Sequence, residues 1–110
     1  MFNLFKSAKA LTIAPAEAEA QQRAGKIVLV DVREPNEWAQ MHVPGAVHAP
    51  LSAFPAVLET LPTDRPVVFY CLSGKRSARA LEIAQANGKA IDTHVAGGIS
   101  AWRAAGLPVS

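Results

Sequence analysis

The only cysteine of the chain, Cys71, is followed at once by Leu72-Ser73-Gly74-Lys75-Arg76-Ser77. A thiol, two hydroxyls and two cations in so short a span suit one chemistry, a thiolate nucleophile held as an anion. The four residues before it, Val67-Val68-Phe69-Tyr70, are apolar and rich in β-formers, the pattern of a fully buried strand. Ser77 stands where a helix N-cap belongs, and the residues from Ala78 to Asn87 read as helix. The thiol is therefore expected at the carboxyl end of a strand, just before a helix N-terminus. Open α/β sheets place ligands there, and backbone N–H groups converge there on an anion. Those groups and the charges of Lys75 and Arg76 are expected to lower the Cys71 pKa. A free cysteine can also be a small buried hydrophobe. Here strand, loop, cations and capped helix agree on the nucleophile.

The elements that must position this loop can be read in chain order. Leu11-Thr12-Ile13 is a short strand candidate. Pro15 suits a first helical position, with Glu17 and Glu19 in the first turns, Arg23 in the last and Gly25 just past the end. Ile27-Val28-Leu29-Val30 reads as a second buried strand, running into Asp31-Val32-Arg33. Pro35 opens a short helix with Trp38 and Met41. His42-Val43-Pro44-Gly45 is a turn, because Pro44 biases Val43 towards an extended form. Ala46-Val47-His48 is a brief strand, and Ser52 is expected to cap a helix running to about Thr60. After the central loop and helix, Ile91 to Val95 is a last strand, and Gly97-Gly98 turns into a helix carrying Trp102. Strands alternating with helices imply βαβ units and a mostly parallel sheet with helices on both faces.

Composition narrows the classes. The chain has 110 residues, of which 50% are hydrophobic and 18% charged, enough for one domain with one core. An N-terminal arm is expected over 1–10 and a single domain over 11–110. A net charge of +2 with no basic cluster interleaved with aromatics argues against nucleic acid. No run approaches the length of a membrane span, so stable membrane insertion is not expected. One cysteine cannot form an internal disulfide, and a cytoplasmic location is the natural inference. His42, His48 and His94 lack metal-ligand spacing, so neither a metal nor any other cofactor is expected. Trp38 and Trp102 read as packing between helix and sheet.

These residues together resemble the rhodanese family of single-domain sulfurtransferases, over roughly Leu11 to Val109. The resemblance rests on Asp31-Val32-Arg33-Glu34, on His42-Val43-Pro44-Gly45-Ala46, on the loop from Cys71 to Arg76, and on Gly97-Gly98 followed by Ala101-Trp102 and Gly106-Leu107-Pro108. Met41 stands where the family usually has a small residue. The resemblance implies a five-stranded parallel sheet flanked by helices. It also implies that a loop of six residues, Cys71 to Arg76, makes a cradle sized for a sulfur atom. The related cell-cycle phosphatases and arsenate reductases carry one residue more.

The reaction that the resemblance implies is a sulfur transfer in two halves. Cys71 takes the outer sulfur of thiosulfate or another persulfide donor, and a persulfide on Cys71 is then discharged to cyanide, a small thiol or a protein thiol. Backbone N–H groups from Leu72, Ser73 and Gly74 through Ser77 are expected to cradle it, with Lys75 and Arg76 attracting an anionic donor. The bland reading of those two cations is ordinary solvated charge. Asp31 and Arg33 are expected either to line the crevice and steady the loop or to form a purely structural ion pair. Two other functions remain open at this level. One is a cysteine-based phosphatase or arsenate reductase, and the other a non-catalytic sulfur-carrier or interaction module.

Overall fold

The computed structural model describes residues 8–110. Of the arm expected over 1–10, residues 1–7 lie outside the described part. The chain alternates strand and helix as β1 (Leu11–Ile13), α1 (Pro15–Arg23), β2 (Val28–Asp31), α2 (Pro35–Gln40), β3 (Val47–His48), β4 (Val67–Tyr70), α3 (Lys75–Ala86), β5 (Thr93–Val95) and α4 (Gly98–Ala104). The five strands form one parallel sheet in the order β1-β5-β4-β2-β3. β4 is central, because Val67 to Tyr70 and Val28 to Asp31 are buried on both faces and need cover on both.

That cover divides the strand residues by parity. Val28, Val30, Phe69 and Cys71 pack against Ala80, Leu81 and Ala84 of α3 and against Leu58 and Leu61. Leu29, Val68, Tyr70 and Val95 pack on the opposite face against Ala18 of α1 and Ile99 and Trp102 of α4. Each fully buried large side chain of this kind contributes about 1.5–3 kcal/mol.

Two sequence expectations are corrected here. Between Leu51 and Thr60 there is no continuous helix; two 3-10 turns, Leu51–Ala53 and Ala56–Thr60, take its place. Pro55 sits between them, has no N–H to donate, and interrupts the ladder. Ser52 does not cap a helix; its hydroxyl donates to Glu34 Oε1 at 2.6 Å. Trp102 is buried as expected, and Trp38, half-buried on α2, stacks on His48 of the edge strand β3. Trp38 stacks with two imidazoles, His42 at 3.7 Å and His48 at 4.8 Å between ring centroids, both nearly parallel to it.

Candidate active site

β4 ends at Tyr70, so Cys71 leaves the sheet at its carboxyl edge, beside the end of β2, where Asp31 pairs in register with Tyr70. The chain then makes one tight loop and enters α3. The helix begins three residues before the sequence places it. Its N-cap is Gly74, at φ +115°, and its first residue is Lys75. Only glycine adopts that backbone angle at little cost. Ser77 is therefore not the cap; it lies within the first turn, and its side chain faces inward, fully buried.

This early start wraps helix donors around the sulfur. The Gly74 N–H donates to Cys71 Sγ at 3.1 Å, and the Ser77 hydroxyl lies 3.4 Å from it. Cys71 is only 1% exposed. Burial alone would push its thiol up. Hydrogen bonds from the Ser77 side chain and from the Ser77, Gly74 and Ser73 backbone outweigh burial and hold the thiol below its ordinary value.

The loop is also held from outside. The Ile99 N–H donates to the Cys71 carbonyl at 2.9 Å, and the Ser100 N–H to the Leu72 carbonyl at 3.1 Å. These are amides from the first turn of α4, spent on the loop's carbonyls. Gly98 makes the approach geometrically feasible. A Cβ there would collide with the Cys71 carbonyl oxygen and the Leu72 backbone.

The remaining sequence-predicted residues fall into different roles. Leu72 and Ser73 are exposed on the loop, and Lys75 is exposed at the start of α3. Arg76 is engaged: its two terminal nitrogens donate to Glu37 of α2 at 2.6 and 2.9 Å. The Arg76 hydrogen bond holds the Glu37 carboxyl down at about 2. Asp31 and Arg33 form a buried pair. Arg33 Nε and Nη2 donate to the Asp31 carboxylate at 2.8–3.1 Å, and Nη2 also donates to the Met41 carbonyl at 2.7 Å. That fastens the end of β2 to the end of α2. Arg33 also lines a cavity of about 420 Å³ beside the loop, with Glu37, Met41, Leu72, Ser100 and Arg103. Of the pair, Arg33 borders this cavity, and Asp31, fully buried, does not.

Sequence reasoning misses one residue at the site. His94 of β5 is buried, and its Nδ1 lies 2.7 Å from Ser77 Oγ. β5 is hydrogen-bonded to β4, with His94 in register with Phe69, two residues before Cys71. A polar residue at an interior strand position is the available sequence signal. His42 and His48 serve elsewhere, each with one ring nitrogen against a backbone carbonyl, of Trp38 at 2.9 Å and of Arg33 at 2.7 Å.

The family described as Rhodanese-like domain matches residues 14–105. A protein from Allochromatium vinosum named sulfurtransferase is 40% identical over 83 residues, covering 76% of this chain and 78% of its own. A Mycobacterium tuberculosis protein named probable adenylyltransferase/sulfurtransferase MoeZ is 41% identical over 100 residues. The match covers 88% of this chain but only 26% of that longer protein. Among solved structures, a rhodanese-related protein from Thermoplasma volcanium superposes with a TM-score of 0.80 at 28% identity, covering 91% of this chain and 97% of that one.

Proposed function

This chain belongs to the rhodanese-like domain family, and from that premise we propose that it moves a sulfane sulfur through a persulfide on Cys71. The observation that carries the reading is the cradle itself. A buried sulfur accepts the Gly74 N–H at 3.1 Å and sits 3.4 Å from the Ser77 hydroxyl. A ring of donors closed this tightly on one sulfur suits an atom that carries negative charge in both resting and loaded states.

In the first half, the Cys71 thiolate attacks the outer sulfur of thiosulfate. The new S–S bond forms as the bond to the sulfonate sulfur breaks, and sulfite leaves with that electron pair. In the second half, a cyanide ion or a thiolate attacks the outer sulfur. The Cys71 sulfur leaves as thiolate, again carrying the pair, and the enzyme is restored. Charge shifts by one atom in each step, so fixed amide dipoles stabilise both without rearranging. Leu72 and Ser73 form the exposed side of the loop over which donor and acceptor arrive, and Lys75 supplies attraction for an anionic donor. Asp31 and Arg33 steady the wall of the neighbouring cavity. The acceptor is a small thiol or a protein thiol, in a cytoplasm that keeps Cys71 reduced. No helix among the described residues is long and apolar enough to cross a membrane.

The test is intact-mass measurement. After thiosulfate the protein gains the mass of one sulfur atom, and cyanide removes it. Cys71→Ser shows neither event. Sulfur transfer from thiosulfate to cyanide that persists in Cys71→Ser would overturn the mechanism.

A further inference from the structure

We propose that His94 is a positioning residue that exchanges a proton with Cys71 through the Ser77 hydroxyl. The proposal rests on reading Cys71 as the sulfur-carrying nucleophile. It adds a side-chain route by which that thiol loses its proton.

Three atoms stand in a chain. Cys71 Sγ lies 3.4 Å from Ser77 Oγ, and Ser77 Oγ lies 2.7 Å from His94 Nδ1. Cys71 and Ser77 are 1% and 0% exposed, so little water surrounds either, and a side-chain route for the proton has value. His94 is 7% exposed. Among the described residues Nε2 has no hydrogen-bond partner, yet no buried side-chain nitrogen there is left unpaired. The solvent-touched end of the ring is therefore Nε2, opposite the nitrogen that faces Ser77. The imidazole spans the distance from buried hydroxyl to surface.

Proton positions are consistent in two states. With a thiol, Cys71 S–H donates to Ser77 Oγ, and the Ser77 hydroxyl donates to the bare Nδ1 of neutral His94. With a thiolate, the Ser77 hydroxyl donates to Sγ, and Nδ1–H donates to Ser77 Oγ. Passing between them moves one proton from sulfur to oxygen and one from oxygen to nitrogen. The net change is thiol plus imidazole to thiolate plus imidazolium, with Ser77 unchanged. A proton then leaves from Nε2 to water. Both contacts survive in both states, so the exchange costs no rearrangement of heavy atoms. The Gly74 carbonyl, 3.2 Å from Ser77 Oγ, offers the hydroxyl a third direction. The shorter contact to Nδ1 is the stronger competitor.

The surroundings of His94 favour a neutral ring that can accept. Its register partners on the adjacent strands are Thr12 and Phe69, both uncharged. On α3, Arg76 is bound to Glu37, Arg79 to Glu82, and Lys75 is exposed. Asp92, two residues earlier on the chain, accepts from the Thr93 hydroxyl. Burial lowers the basicity of the ring, and no charged neighbour contributes. The one ionisable group it meets, through Ser77, is Cys71.

The test is alkylation of Cys71 by iodoacetamide against pH in the wild type and in His94→Asn. Asparagine keeps a polar atom near the Nδ1 position but cannot take up a proton. The expected result is a midpoint about one pH unit higher in the variant, a tenfold lower rate on the acid limb, with the same plateau at high pH. An unchanged midpoint would overturn the proposal. Should the variant fail to fold, nitrogen NMR of the wild-type imidazole decides. His94 Nδ1 is expected to pass from unprotonated to protonated as Cys71 ionises, and to show no such step in Cys71→Ser; an Nδ1 signal indifferent to Cys71 overturns the relay. Alkylation needs no sulfur donor. A shifted midpoint in a protein that gains no sulfur from thiosulfate would support the relay and reject the sulfur-transfer reading.

Discussion

Arg76 is bound at both terminal nitrogens by Glu37, at 2.6 and 2.9 Å, so this loop cation is already neutralised by a neighbour from another helix. An anionic donor approaching the cradle meets Lys75 as the cation and Arg76–Glu37 as a pair of near-zero net charge. Glu37→Gln is expected to release Arg76 and lower KM for thiosulfate about fivefold, since an exposed charge is worth up to about 1 kcal/mol. Lys75→Ala is expected to raise KM by a similar factor. Both effects shrink with added inert salt. Steady-state kinetics at low and high salt measure them, and a rise in KM for Glu37→Gln would mean that Glu37 orders the loop.

The same pair makes an acid-stability prediction. Glu37 is held at about 2 against an ordinary 4.5, so its folded pKa is depressed. The stability it contributes is fully present above about pH 4.5 and is lost as pH falls towards 2. Both side chains are partly exposed, 35% for Arg76 and 24% for Glu37, so solvent screening limits the effect to about 1 kcal/mol. Urea unfolding at pH 6 and pH 3 should show the wild type losing about half of that more than Glu37→Gln, the rest being lost towards pH 2.

Ser77→Ala should weaken the thiolate. It deletes a hydroxyl from a fully buried position beside the sulfur, and a hydrogen bond to an ion is worth about 1.5–3 kcal/mol. The expected outcome is an alkylation midpoint raised by about one unit or more, where the wild type falls below the free-thiol value of about 8.5. A wild-type midpoint at or above that value would show that amides and hydroxyl do not stabilise the anion.

Gly98→Ala tests the clamp on the loop. The residue sits at φ +61° against the Cys71 and Leu72 backbone. A left-handed angle costs an alanine about 1–2 kcal/mol, and forcing apart packed backbone about 1–3 more. Denaturant unfolding should show a loss of roughly 2–5 kcal/mol, accompanied by a fall in kcat. Unaltered stability would mean that the contact relaxes freely.

The parts of this fold that local chemistry controls are legible in the chain. Pro15 at the start and Arg23 at the end of α1 behave as isolated signals do, and the apolar run into Cys71 needs no context. Ser77 shows where that reading fails. Serine before an apolar helix pattern usually caps, but Gly74 can turn the chain sooner, and its own amide is satisfied by a sulfur. No helix-capping rule anticipates that acceptor. His94 is hidden for another reason. Its partner Ser77 lies 17 residues away and meets it only because β5 pairs with β4. Register of that kind is a tertiary property. Between Leu51 and Thr60 the helical pattern is present, and Pro55 overrides it.

The amides of Ile99 and Ser100 are committed to the carbonyls of Cys71 and Leu72 before any sulfur is loaded. The cradle is thereby rigid in advance, and the entropy of ordering it is spent during folding rather than at each encounter. Exchange of those two amides with deuterated solvent then reports opening of α4 and the loop as a unit. On the proposed sulfur transfer, donor and acceptor would meet the same fixed mould.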